Sequence, residues 1–334
     1  MRKDARALFS LAAEALERAG ARRAMAEAAA RHLVRAEEHG LASHGMSRVP
    51  FYCAFLRNAR ADGNASPRML AERAAVCLID NCDALPYEAC AWAVGEAIQR
   101  ARRNGIAFAG ITRSAHVGVL GIHLLPVAEA GMAGVAFTNS PAAIPAWGGR
   151  KALFGTDPVA FVFPRRDAVP LVVDLALTTV VRGRLMLAMQ KGERIPEGWA
   201  LDREGRPTTD PKEAIEHGSL FPIGGAKGAA LALAFELVCA ALTGAAIGPE
   251  ADSFFSETGN KPGIGQAFLA IDPGALAGEA RYFERVEAVV TAMLADAGVR
   301  LPGARRFAAE RKARAEGIEV PDDLMAKIER LARG

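Results

Sequence analysis

Between residues 75 and 175, short apolar runs of strand length alternate with stretches of helix length. Residues 75–80, 106–111, 134–138, 158–163 and 170–173 read as strands, while 87–104, closed by Gly105, and 117–130 read as helices. Helices interleaved with strands must cover a sheet to bury its apolar faces, so this pattern predicts an α/β layer architecture. The flanks differ. Leu8, Leu11, Ala12, Ala15 and Leu16 recur at helical spacing, a second helix reads from 24 to 38 and stops at Gly40, and a third starts near Met46 and runs to the break at Asp62-Gly63-Asn64. After 175 the pattern predicts the end of a helix at 183–191, an irregular stretch at 192–227 rich in Gly, Pro and charge, an apolar helix at 229–242, a strand within 262–271, a helix at 281–297 and a charged helical tail. An irregular stretch that long inside a domain is expected to be functional.

Composition closes off several classes. Hydrophobic residues make up 51% of the 334 and charged residues 24%, enough to fill a core and too apolar for extended disorder. The net charge of +3 is spread through mixed-charge helices, with no basic stripe interleaved with aromatics, so nucleic acid is not an expected partner, while a pocket for a small anionic substrate stays open. No apolar run reaches the ~18–20 residues of a membrane span. The five cysteines form no CxxC and read as reduced thiols of a cytoplasmic protein. The Arg- and Ala-rich N-terminus carries Asp4, Glu14 and Glu17 and reads as an amphipathic helix of the fold.

The usual fingerprints are missing. There is no GxGxxG opening a helix, no Walker A loop, no HExxH and no other metal-ligand spacing, so neither a Rossmann domain nor a metal is expected. Four strings remain. Ser43-His44-Gly45-Met46-Ser47-Arg48 groups a proton donor with an anion clamp; the competing reading is a helix cap with a surface histidine. If the helix has begun by then, Arg48 lies one turn from His44 on one face. Ser114 to Gly121, with His116, follows a strand and opens a helix whose free N–H groups suit phosphate. Asn139-Ser140-Pro141, Trp147-Gly148-Gly149 and Gly155-Thr156-Asp157-Pro158 suggest a shaped loop lining a cavity. Gly224-Gly225-Ala226-Lys227-Gly228 precedes a helix and offers backbone N–H groups and a lysine to a phosphate. Each of the last three also reads as an ordinary turn or linker.

Taken in order along the chain, these strings resemble the type-2 malate/L-lactate dehydrogenase family. Asp174, Gly198-Trp199-Ala200-Leu201-Asp202, Pro207-Thr208-Thr209-Asp210-Pro211, Pro222 to Gly228 and Leu269-Ala270-Ile271-Asp272-Pro273 extend the match. The resemblance implies a non-Rossmann fold in which residues 1–75 and 275–334 form a helical substrate and dimerisation domain and 76–274 a mixed-sheet cofactor domain. It implies a homodimer and a hydride exchanged with NADPH or NADH. His44 matches the family's proton donor, with Ser43 orienting it. Arg48, Thr156, Arg182 and Gly183 match substrate contacts; His116, Val117, Gly118, Val119, Leu120, Asp174, Leu175, Ala176, Gly224, Gly225 and Lys227 match cofactor contacts or lie beside them. The Ser43/His44/Arg48/Thr156 set is similar to that of the cyclic 2-imino acid reductases, which makes Δ1-piperideine-2-carboxylate or Δ1-pyrroline-2-carboxylate the expected substrate; a 2-oxo or 2-hydroxy acid of malate, lactate, ureidoglycolate or sulfolactate type is the alternative. Leu175 to Thr179 and Gly263-Ile264-Gly265-Gln266 depart from the family strings, and Arg184 stands where some imine reductases carry an acid that completes a relay with the Ser-His pair. Two other classes compete. A Ser43/His44 hydrolase is disfavoured because neighbouring residues point apart and no GxSxG elbow exists; a non-catalytic nucleotide-binding relative is separated from an enzyme by a turnover assay.

Overall fold

A computed structural model describes residues 2–333. The apolar stripes of the N-terminal helices Ala5–Arg18, Arg23–Glu38 and Val49–Arg57 meet those of the C-terminal helix Asp322–Arg333, so Leu8, Leu16, Met25, Leu33 and Phe55 share one core with Met325 and Ile328. The two ends of the chain are also tied by a short antiparallel pairing of Arg2–Lys3 with Ile318–Glu319.

A second core lies on a seven-stranded mixed sheet. In spatial order its strands are Arg68–Arg73, Val76–Asp80, Ile106–Ser114, Ile264–Ile271, Ala133–Thr138, Val159–Arg165 and Ala168–Leu175. Val76–Asp80 and Ile106–Ser114 pair in parallel, which requires a crossover, and the helix Tyr87–Asn104 supplies it. The other neighbours pair antiparallel. The late strand Ile264–Ile271 inserts at the centre of the sheet, where both of its edges are paired and its side chains are almost all buried.

Several expectations shift. Arg68–Arg73 pairs with Val76–Asp80, so the sheet begins before residue 76, and helix Glu279–Leu294 packs beside the strand Val159–Arg165 with Arg165–Glu287 contacts of 2.9 and 2.8 Å. The helix expected at 117–130 is two short pieces, Leu120–His123 and Leu125–Glu129, because Pro126 cannot continue the first. Residues 192–227 are not structureless. Asp210 caps the helix Pro211–Glu216, and Ala200–Leu201, Pro207–Thr208 and Ser219–Leu220 form a three-stranded ribbon around a third core that includes Ile144, Leu177, Leu185 and Leu220. The helix ending at Lys191 begins at Arg182, and before it Leu177 and Thr179 donate their N–H groups to the Thr156 and Phe221 carbonyls. No helix among the described residues is long and apolar enough to cross a membrane.

Candidate active site

The Ser43–Arg48 string folds as two successive 3-10 turns, Ala42–His44 and Met46–Arg48, hinged at Gly45, and helix Val49–Arg57 starts after them. Glu37, at the end of the preceding helix, accepts the Met46 N–H at 2.7 Å, and a Cβ at position 45 would lie 2.4 Å from the same carboxylate oxygen. Only glycine permits that approach. His44 and Arg48 therefore do not share an α-helical face. Arg48 reaches back instead, its Nε donating to the Ser43 carbonyl at 2.8 Å. Ser43 Oγ sits 2.9 Å from His44 Nδ1, so the serine does contact the imidazole it was expected to orient.

His44 and His116 face each other with ring centroids 5.5 Å apart and planes inclined by 26°. His116 Nδ1 is 2.8 Å from Tyr52 Oη, which is 2.8 Å from Tyr87 Oη, both tyrosines being buried. Burial, helped by the Arg48 charge, pushes the His44 imidazole down to about 4 and holds His116 well below the ordinary 6.5. Both rings are neutral at neutral pH. Sequence reasoning placed His116 with the cofactor; the fold sets it beside His44 as well.

The arginines adjoin this group through Arg48 and its bond to Ser43. The Phe255 ring lies 6.0 Å from the guanidinium carbons of both Arg48 and Arg182, and Phe51 approaches Arg48 at 5.9 Å. Arg182 donates to the Ile215 carbonyl at 3.2 Å, and burial pulls its pKa below the ordinary arginine value. Among the described residues neither guanidinium has a carboxylate at ion-pair distance, although most other partly buried arginines of the chain do. Gly183 follows in the first turn of the helix, and Arg184 points to solvent.

The N–H of Thr156 donates to Ser140 Oγ at 2.9 Å. The Thr156 carbonyl takes the Leu177 N–H at 2.8 Å, and the Leu177 carbonyl takes that of Ile223 at 2.8 Å. This ladder sets Leu177, which follows Asp174, Leu175 and Ala176 in the chain, beside Ile223, which precedes the glycines at 224–225. There the fit to a dinucleotide is good. Gly224 and Gly225 adopt φ of +63° and +65°, a Cβ on Gly224 would meet open space, and no side chain caps the helix Ala226–Glu236, leaving its first-turn amides and the exposed Lys227 available to a phosphate. Residues 116–121 are less open than expected. Val119 N donates to His32 Nε2 at 3.1 Å and Gly121 N to Asp174 Oδ2 at 3.1 Å, while Val117, Val119 and Leu120 turn into the interior, leaving His116 and Gly118 as the accessible part. Asp174 is itself paired with Arg306 at 2.8 Å.

Sequence reasoning missed Tyr52, Tyr87, Arg306, Phe254 and Phe255. Two of the chain's three tyrosines meet here, and the Phe-Phe pair interrupts a polar stretch, which was the available signal. No cluster of metal-ligating side chains occurs among the described residues.

A family model described as malate/L-lactate dehydrogenase matches residues 4–329. The chain is 46% identical to a protein of Chromohalobacter salexigens named (2R)-3-sulfolactate dehydrogenase (NADP(+)), over 96% of this chain and 94% of that one. It is 35% identical to a Δ1-pyrroline-2-carboxylate/Δ1-piperideine-2-carboxylate reductase of Pseudomonas putida, over 97% and 95% respectively. The fold superposes on the crystal structure of Δ1-piperideine-2-carboxylate reductase from Pseudomonas syringae pv. tomato with a TM-score of 0.93, 31% identity and 99% coverage of both chains.

Proposed function

The chain belongs to the malate/L-lactate dehydrogenase family and is an NAD(P)-dependent oxidoreductase, and on that premise we propose that it interconverts a 2-hydroxy and a 2-oxo acid bearing a second anionic group on C3, of the 3-sulfolactate type. The observation that carries this reading is the pair Arg48 and Arg182, both without a carboxylate partner among the described residues and both against Phe255. Two unneutralised cations in a partly buried site are costly until a ligand pairs them. A carboxylate and a sulfonate on adjacent carbons bring one anion for each. A cyclic imino acid brings one and strands the other.

The order of the two substrate readings is thereby reversed. The imine reductase relay also lacks its acid: helix Arg182–Lys191 contains no carboxylate, and Arg184 is exposed. The relative at 46% identity carries a sulfolactate name and the one at 35% an imino acid name, which supports the same order.

The nicotinamide, when bound, supplies or takes the hydride at C2 of the acid. Gly224, Gly225 and Lys227 would hold its phosphates, with His116, Gly118 and the 174–176 strand beside it. Arg48 orients the C1 carboxylate, and its fork fixes the face of C2 that is presented. When His44 donates Nδ1–H to Ser43 Oγ, its Nε2 lone pair is free. A neutral imidazole so arranged takes the hydroxyl proton during oxidation and returns it during reduction. The homodimer implied by the family strings is part of the proposal, and light scattering that gave the mass of a single chain would remove it.

The test is a substrate panel with NADPH and NADH: 3-sulfopyruvate, oxaloacetate, pyruvate, Δ1-piperideine-2-carboxylate and Δ1-pyrroline-2-carboxylate. The doubly charged oxo acids should exceed the imino acids in kcat/KM by about tenfold or more, the worth of one charged hydrogen bond. A preference for the imino acids overturns the assignment and restores imino acid reduction.

A further inference from the structure

The aromatic rings that touch both sides of the site come from one irregular segment, residues 252–260. Phe254 meets the His116 ring edge-on at 5.1 Å, and Phe255 lies against Arg48 and Arg182. Ordering such a segment costs conformational entropy at every residue, so something must hold it. The segment closes on itself through Asp252, which accepts the N–H groups of Ser253, at 2.7 Å, and of Asn260. Its anchor to the helical layer is Arg60, just beyond the end of helix Val49–Arg57.

Arg60 is 1% exposed. Its Nε donates to the Asn260 carbonyl at 2.9 Å, one terminal nitrogen to Ser256 O and the other to Ser253 O at 3.0 Å, with Asp252 at 3.7 Å. Phe55 covers the guanidinium at 4.4 Å, and Asn58 adds a bond of 2.8 Å to the Glu257 carbonyl. A guanidinium is a flat fork of five donors, so it can gather three carbonyls from separate residues; an ammonium lacks that geometry. The backbone of the segment satisfies most of this buried charge. If the segment moved away, these three bonds and the Asp252 contact would be lost together, which ties its position to Arg60.

We propose that Arg60 is a positioning residue for substrate recognition. It holds residues 252–260 so that Phe255 spaces the Arg48 and Arg182 guanidiniums for a two-anion substrate and Phe254 closes the site over His116. The recognition role rests on the proposed function, in which those two arginines take the acid. The anchoring does not depend on it.

Steady-state kinetics with 3-sulfopyruvate and NADPH on the full-length protein tests this. Arg60→Lys should raise KM about tenfold, with kcat and NADPH affinity changed by less than about threefold. Phe255 is 40% exposed, so Phe255→Leu should fold whatever Arg60→Lys does, and it should raise KM to the same extent. Because Arg60 acts through Phe255, the double variant should be no worse than the poorer single one. An unchanged KM in Phe255→Leu, or multiplicative effects in the double variant, would overturn the recognition role. So would a lowered melting temperature in Arg60→Lys with an unaltered KM. Hydrogen exchange needs no substrate: the amides of 253–260 should exchange at least about tenfold faster in Arg60→Lys while the sheet is unaffected. Unchanged exchange there sinks the anchor. Wild-type protein that reduces none of the acids sinks the functional reading, and with it the recognition role, but leaves the exchange result to judge the anchor.

Discussion

On the histidine side of the site the polar groups find partners within the protein: Ser43 on His44, Tyr52 on His116, Tyr87 on Tyr52. Next to it, Arg48 and Arg182 donate to the Ser43 and Ile215 carbonyls, and no carboxylate of the described residues pairs with them. The first side is internally satisfied and neutral, so it can act by moving a proton. The second carries charge that a ligand must neutralise, so it acts by binding. Damage to the first should therefore appear in turnover and damage to the second in KM, and that division is open to test.

The largest effect is expected at His44. His44→Ala should lower kcat by roughly 10²-fold or more with cofactor affinity intact, because a positioned acid-base group is typically worth ~10²–10⁴ in rate. Wild-type turnover in that variant would reduce His44 to a residue of the 3-10 turn and erase the contrast.

The arginine side should respond next. Arg48→Lys keeps a charge and loses the fork, and kcat/KM should fall by about 1–3 kcal/mol for every acid, mostly in KM. Arg182→Met should cost about as much for 3-sulfopyruvate and oxaloacetate but change pyruvate by less than about threefold. Equal losses on pyruvate and 3-sulfopyruvate in Arg182→Met would show that the two arginines do not divide two anions between them.

The smallest effects come with pH. His44 titrates at about 4 in the free protein, so kcat/KM for oxidation of the hydroxy acid, which needs the neutral ring, should be level at neutral pH and fall below about pH 4. The reduction, which needs the protonated ring, should have the opposite slope and decline as pH rises above that value. A limb near 6.5 in both directions would mean that His44 is not the titrating group. Stability follows the same shift. His39, His44 and His123 are all pushed down to about 4 by burial, so the unfolded chain binds more protons than the folded one below 6.5. The melting temperature should drop as pH falls from 6.5 towards 4, and the contribution of these three histidines to that drop should end there.

Much of this was legible along the chain. The crossover helix at 87–104 appears with the bounds expected, because its apolar positions and the Gly105 terminator are local features. The Ser43-His44-Arg48 string is local too. What was not legible is which groups are already taken. Ser114–Gly121 and Gly224–Gly228 look alike as strings, yet His32 and Asp174 occupy amides of the first, while the first-turn amides after the second have no side-chain cap. Phe254 and Phe255 meet the site across a long loop of chain, and no spacing rule connects Arg60 to Ser253, Ser256 and Asn260.

Local signals therefore carried the alternation of helix and strand, the absence of a Rossmann fingerprint and the family strings, since periodicity, turn chemistry and short motifs act over a few residues. The tertiary structure decided the insertion of Ile264–Ile271 between Ile106–Ser114 and Ala133–Thr138, the facing of His44 and His116, and the meeting of Arg48 and Arg182 on one phenylalanine. Such contacts join segments whose separation along the chain carries no periodic signal. They form because burying apolar faces and satisfying buried polar groups leaves few ways to pack the elements, and that condition acts on the whole chain at once.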